Sequence, residues 1–187
     1  TEAINEGQYL VPRMNRQQRR AAITGPIAVA GTQISPRLVM RLLNDVGDNP
    51  DQLPILQHAL MRTWDYWHTG HDEGEPIDLR HYEAVGTMTE ALSQHAEEAF
   101  MELSGPEERL VARKVFSALT EKGTDGRGIR RPTTIKDVCA ISDADETAVV
   151  NLVNRFRSSG RTFIFPPEGT ELTPDTILDI SHESLMR

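Results

Sequence analysis

Cysteine is nearly absent from this chain: among 187 residues there is one, Cys139. A single thiol makes no internal disulfide and no cysteine-rich zinc site, which excludes a disulfide-stapled secreted scaffold and points to a reducing, cytoplasmic setting. Aromatic residues are sparse at 5%. No apolar run approaches the roughly 18 residues of a membrane span, and the amino terminus lacks the charged-then-apolar pattern of a signal peptide, so a soluble chain with no membrane partner is expected. Positive charge is short as well. Twenty Lys and Arg face 28 Asp and Glu, and the net charge of −8 opposes non-specific attraction to nucleic acid or anionic lipid. The sequence contains no G-x-x-x-x-G-K-[ST] phosphate loop and no G-x-S-x-G elbow, and Gly126-Arg127-Gly128 lacks the third glycine of a dinucleotide fingerprint. By itself the chain is not expected to be an enzyme.

What is present is an ordinary globular composition, 38% hydrophobic and 26% charged, on a chain long enough to bury roughly 70% of its unfolded surface. The charge is uneven. Residues 1–103 hold 8 basic against 15 acidic residues, a balance of −7, and residues 104–187 hold 12 against 13, a balance of −1. Ser104-Gly105-Pro106 is the clearest punctuation, which predicts a helical domain over 1–103 and a second domain over 104–187. The chain starts at Thr1 and stops at Arg187 in what reads as a starting helix, so it is expected to be an excerpt of a longer protein.

Periodicity gives the fold class. Asn15 caps a helix over 16–23 that is expected to break at Gly25-Pro26, and Ser35-Pro36 opens a second whose stripe is Leu38, Val39, Leu42, Leu43 and Val46. Leu53, Leu56, Leu60, Trp64 and Trp67 share one side of a third, Asp78 caps a short fourth, and Thr87 starts a fifth. Beyond Pro106 a helix to Thr120 is followed by a Gly-rich loop. Thr133-Thr134 cap a short helix, and Asp143 or Asp145 caps another carrying Val149, Leu152, Val153 and Phe156. The period then changes to that of strands over 162–165 and 176–180. The expected fold is mainly α: a helical bundle followed by a winged-helix domain with a small β-hairpin.

Several chemistry-bearing residues stand out. His182-Glu183 fails the H-E-x-x-H zinc motif because Met186 holds the fifth position. His68 and His71 are three apart, but lie at a helix end and in a polar loop, which reads as solvated histidines, and His95 on an apolar face reads as a buried core histidine. A winged helix suggests a DNA-binding transcription regulator as the alternative function. Against it, the third helix of that domain starts with Asp143, Asp145 and Glu146, and the wing has Glu168, Glu171 and Asp175 with no Lys or Arg; Arg130, Arg131, Arg155, Arg157 and Arg161 are the basic residues nearby. Nucleic acid is therefore not an expected partner. Pro54 falls in the first turn of its helix, where a missing N–H costs nothing and the ring can face an adjoining module.

Four segments in order, Tyr9-Leu10-Val11-Pro12-Arg13-Met14, Ala22-Ile23-Thr24-Gly25-Pro26, Leu53-Pro54-Ile55-Leu56-Gln57-His58-Ala59-Leu60 and Ile180-Ser181-His182-Glu183-Ser184-Leu185, resemble the region that follows the P-loop domain in bacterial STAND signal-transduction ATPases. The resemblance implies a regulatory arm whose partners are its own upstream P-loop ATPase domain, a downstream repeat sensor domain and further copies of itself on activation. It also implies ADP or ATP with Mg²⁺ in the full-length parent. In that family a proline of the helical domain lies against the adenine and a late histidine of the winged helix touches the ADP phosphate. The resemblance carries these roles onto Pro54 and His182, with Gln52 standing two before the proline where the family has glycine, and Ser181-His182-Glu183 where many relatives have Met-His-Asp.

Overall fold

A computed structural model describes residues 13–47, 52–122, 128–158, 160–182 and 185. Tyr9 to Pro12, Asp51, Gly126, Arg127, Glu183, Ser184 and Met186, on which some of the expectations above fall, lie outside them. The chain divides into two compact units, Thr1–Met88 and Thr89–Arg187. The division falls inside a helix and before the expected 103/104 boundary. The reason is packing: Leu92, Ala99 and Leu103, which precede Ser104-Gly105-Pro106, are buried in the core of the second unit.

The first unit is helical. α1 (Arg16–Val29) starts at Asn15, whose side chain accepts from the Gln18 amide at 2.9 Å while Gln18 returns a bond to the Asn15 amide, a full capping box. The expected break at Gly25-Pro26 does not occur, and α1 runs straight through it. Pro26 removes the amide that would reach the Ala22 carbonyl, but both residues lie on an exposed face, so that carbonyl keeps water and the penalty of an interior proline is softened. α2 (Pro36–Val46) begins on the Ser35 cap and buries Leu38, Val39, Leu42, Leu43 and Val46. α3 (Leu53–Gly70) has Pro54 in its first turn, as expected, and buries Ile55, Leu56, Ala59 and Trp67. α4 (Leu79–Ala84) is capped by Asp78.

Polar ties join these helix starts. Ser35 N–H donates to Ile77 O at 2.8 Å and Ile77 N–H to Gln33 O at 2.8 Å, a one-rung parallel bridge between residues 34 and 77. Asp78 accepts from Leu79 N–H, from the Ser35 hydroxyl and from the Arg37 guanidinium. Tyr82, fully buried, donates its hydroxyl to Asp45 at 2.8 Å and accepts from Met88 N–H at 2.9 Å, so the phenol satisfies an amide at the start of the next helix.

That helix, α5 (Thr87–Met101), leads into the second unit. α6 (Pro106–Ala118) is followed by an antiparallel hairpin, β1 (Thr120–Lys122) with β2 (Gly128–Arg130), then β3 (Thr133–Thr134), α7 (Ile135–Ser142), α8 (Glu146–Arg157), β4 (Ile164–Phe165) and β5 (Ile177–Ile180). The second sheet has the order β3-β5-β4, all antiparallel. The protein is thus mainly helical with a small antiparallel β region, and its second unit is winged-helix-like. Alternation along the strands is clean: Thr133, Ile164, Leu178 and Ile180 are buried, whereas Phe165 and Ile177 are exposed. The periodicity expected neither β1–β2 nor β3. Thr134 does both jobs, pairing with Ile177 and capping α7 through the Asp137 amide at 3.2 Å. His95 is in the core as expected, its ring edge-on to Phe163 at 5.0 Å.

Candidate functional site

The two residues singled out by the resemblance occupy different units. Pro54 stands exposed in the first turn of α3, beyond Gln52, whose side chain makes no capping bond. Its missing amide donor falls where no helical acceptor exists, so the ring is placed without cost to the helix. Leu56 and Ala59 on the opposite side of the same turns fix α3 in the core.

His182 stands two residues past the end of β5, after Ser181, and is half-buried. The strand end is pinned on both sides: Ser181 N–H donates to Phe163 O at 2.9 Å, and Leu185 N–H donates back to His182 O at 3.1 Å. β5 itself is anchored by Leu178 and Ile180 in the core. The backbone carrying His182 is therefore positioned by packing rather than by a loop. Arg130 of β2 reaches the same strand end, its guanidinium 3.4 Å from the Asp179 carboxylate and 3.4 Å from the Ile180 carbonyl. Arg130 is thus engaged by the strand itself, through its carboxylate and its last carbonyl, two residues before His182.

The arginines near α8 have internal duties. Arg157 is buried, with its guanidinium donating to Asn154 Oδ1 at 2.8 Å, Pro167 O at 3.1 Å and Thr170 O at 2.8 Å. It clamps the loop between β4 and β5 onto α8. Arg161 bonds the Glu102 carboxylate at 2.6 Å, and Arg155 lies 3.7 Å from Glu108. The sequence offered no signal for the Arg157 clamp, because its acceptors in the loop are backbone carbonyls, which every residue has.

His68 and His71 take part in a row of rings. His71 stacks on Trp67 at 3.9 Å and His68 on Trp64 at 5.9 Å, and His71 Nδ1 is 3.1 Å from Trp67 O. Among the described residues no group of three His, Cys, Asp or Glu is placed to hold a metal ion, and no helix is long and apolar enough to cross a membrane.

One feature of the first unit was invisible in the sequence. Because α1 continues through Pro26, Ala22, Pro26 and Ala30 recur at helical spacing and, with Leu56, Leu60 and Trp64 of α3, line an apolar groove of about 580 Å³. Small residues on one wall leave the space that larger ones would fill.

A family model described as novel STAND NTPase 1 matches residues 1–187. The chain belongs to that family. No curated protein and no solved structure matches it. Membership in novel STAND NTPase 1 agrees with the segments that carried the resemblance, and it covers both compact units.

Proposed function

We propose that this chain is the regulatory helical and winged-helix arm of a STAND P-loop NTPase, the part that closes over bound ADP and releases on exchange for ATP. The observation that carries this reading is the match of the family model over the whole chain, in a sequence with no phosphate loop of its own. The upstream P-loop domain would supply the nucleotide, the Mg²⁺ and the chemistry of phosphoryl transfer. His182 and Pro54 are the residues of this chain that would hold ADP: the imidazole N–H as a donor to the phosphate, the pyrrolidine ring against the adenine. The reading is supported by the half-buried His182 standing just past a pinned strand end and by the exposure of Pro54.

A switch of this kind works only if ADP binds the closed form better than the open one. His182 provides the difference if its contact exists in the closed form alone. Replacing His182 with Ala then removes a hydrogen bond to a charged group, worth about 1.5 to 3 kcal/mol. ADP should dissociate about ten to a hundred times more readily from the full-length protein, with a matching rise in open, oligomerising protein. Pro54→Ala should do less, through lost ring packing. The measurement is ADP retained after purification, beside the oligomer fraction, for wild type and both variants. Unchanged retention in His182→Ala with an unchanged melting temperature would refute the role of the histidine.

The rival reading, a winged-helix transcription regulator, is favoured by the order of elements in the second unit. It is opposed by the employment of Arg155, Arg157 and Arg161 in internal contacts and by the acidic start of α8 at Asp145 and Glu146. A DNA titration across salt concentrations separates the two: a steep salt slope with preference for one sequence would favour the regulator.

A further inference from the structure

The first unit contains two capping boxes of different chemistry. In α1 the third helical residue is Gln18, whose side-chain oxygen accepts from Asn15 N–H at 2.9 Å. In α4 the same place is held by His81, and the acceptor for Asp78 N–H, at 2.9 Å, is the ring nitrogen Nδ1. A capping box ordinarily takes Glu or Gln there, whose oxygens remain acceptors at about pH 5 to 8. An imidazole keeps an acceptor only while neutral; protonated, it has donors alone. A backbone amide can only donate, so Nδ1 carries no proton and the ring proton is on Nε2.

Nε2 lies 3.3 Å from the Glu75 carboxylate, and the His81 side chain is 4% exposed. The two contacts make opposite demands: the carboxylate attracts a positive ring, and the amide is compatible only with a neutral one. Among the described residues, the other groups around the ring are Tyr66 of α3, 6.3 Å away between centroids, Arg80 of α4, which is bonded to Glu75, and Arg37 of α2, which reaches the helix start through Asp78. A recess of about 330 Å³, open to solvent and lined by Tyr66, Thr69, Gly70, Arg80 and His81, borders the ring, so a proton reaches it without unfolding.

We propose that His81 is a proton-operated catch on the start of α4: neutral, it accepts the Asp78 amide and closes the capping box; protonated, it stays with Glu75 and releases that amide. Because the closed form excludes a proton from Nδ1, proton uptake favours the released form, and the helix start loosens as pH falls through the range in which imidazoles titrate. The Asp78 carboxylate keeps its bond to Leu79 N–H, so one amide is freed rather than the helix lost. The turn that loosens is the one that sets Tyr82, whose phenol joins Asp45 of α2 to the Met88 amide. The catch lies wholly in the first unit and does not rest on the ADP contacts of His182.

The experiment uses the 187-residue chain. Long-range ¹H–¹⁵N correlation of the imidazole nitrogens follows the protons of His81 from about pH 8 to about pH 5, and amide exchange, expressed relative to the unfolded chain at each pH, follows the Asp78 amide. At the upper end Nδ1 should carry no proton. As it takes one, protection of the Asp78 amide should fall about tenfold, the size of one lost hydrogen bond, while the Asn15 amide, held by Gln18, shows no such step. His81→Gln supplies an acceptor that does not titrate and should abolish the step, with circular dichroism showing the helices intact. Glu75→Gln removes the attracting charge and should move the step to lower pH. A proton on Nδ1 at the upper end, protonation of His81 with Asp78 protection unchanged, or no proton uptake across the range would overturn the inference on the wild-type chain alone. So would the same step in His81→Gln, or a step at unchanged pH in Glu75→Gln.

Discussion

The two units solve the same problem with different chemistry. In the first, the helix starts are joined by carboxylates: Asp78 gathers Ser35, Arg37 and the α4 amide, and Asp45 holds the Tyr82 phenol beside Arg41. In the second, a single apolar core from Leu92 to Ile180 does most of the joining, with Phe116, Phe156 and Phe163 in ring contact, and the buried charged tie among the described residues is a guanidinium, Arg157. The difference teaches where each half is vulnerable. Carboxylates titrate in the acid range and a guanidinium does not, so acid should loosen the first unit through groups that have no counterpart in the Arg157 clamp.

The comparison is broken most severely by emptying the second core. Phe156→Ala removes a buried ring that contacts both Phe116 and Phe163, and should cost about 3 to 5 kcal/mol in chemical denaturation. Amide exchange should show the loss in α6 to α8, with α1 to α4 little affected. Next comes Arg157→Met, which keeps much of the stem and deletes the donors to Pro167 and Thr170. A loss of about 1.5 to 3 kcal/mol is expected, with faster amide exchange over 166–175. A neutral result would mean that the loop holds its shape without the clamp.

In the first unit, Asp78→Ala deletes the α4 cap and the partner of Arg37, and should cost about 1 to 2 kcal/mol, mostly from the cap because the ion pair is exposed on the arginine side. The same residue sets the acid response. The Arg37 guanidinium, then the Ser35 hydroxyl and the Leu79 amide, hold the Asp78 carboxyl well below the usual carboxylate range against the opposing pull of burial. The folded pKa is depressed, so this stabilisation is fully present above the unfolded value of about 3.9 and is lost as pH falls through the folded one. The Asp72 amide and Arg80 lower Glu75 in the same direction. Below about pH 4 the amides of α2 and α4 should therefore open before those of α7 and α8, and Asp78→Asn should flatten that acid limb. Opening of α7 first would invert the comparison.

Much of the first unit was legible because its helices announce themselves chemically. Asn15, Ser35 and Asp78 each accept from an amide of the following turn, and the α2 stripe is buried residue for residue. Gly25-Pro26 misled because local propensity was read without the partner: Pro26 faces an open groove where its lost bond costs little, so packing of Ile23 and Ile27 carries the helix onward. In the second unit β3 was hidden by its length of two residues, too short for any alternation, and its existence depends on β5, more than 40 positions later. The candidate residues were legible only as types at positions in known segments; what pins His182, the Phe163 carbonyl holding Ser181, is a long-range contact that no local pattern encodes.

The smallest expected effect sharpens the comparison at its turns. In the first unit the turns at Gly31, Gly47 and Gly74 place glycine at positive φ, which it adopts without steric cost, with Thr87 at φ 56° the exception, and Gly160 and Gly169 do the same in the second. In the second unit α7 ends on Asp143 at φ 56°, exposed, with its amide donating to Cys139 O. Two terms disfavour aspartate there: the Cβ in the left-handed region, and a negative charge at the negative end of the helix dipole. Asp143→Gly removes both but adds freedom to the unfolded chain, for a net gain of about 0.5 to 1 kcal/mol. Asp143→Asn removes the charge alone while keeping a residue that tolerates this conformation, and should gain a few tenths of a kcal/mol, about the size of one exposed dipole interaction. Measuring both at low and high salt separates the terms, since only the charge contribution is screened. If Asp143→Asn gains as much as Asp143→Gly at low salt and nothing at high salt, charge rather than backbone conformation sets the cost of this helix end.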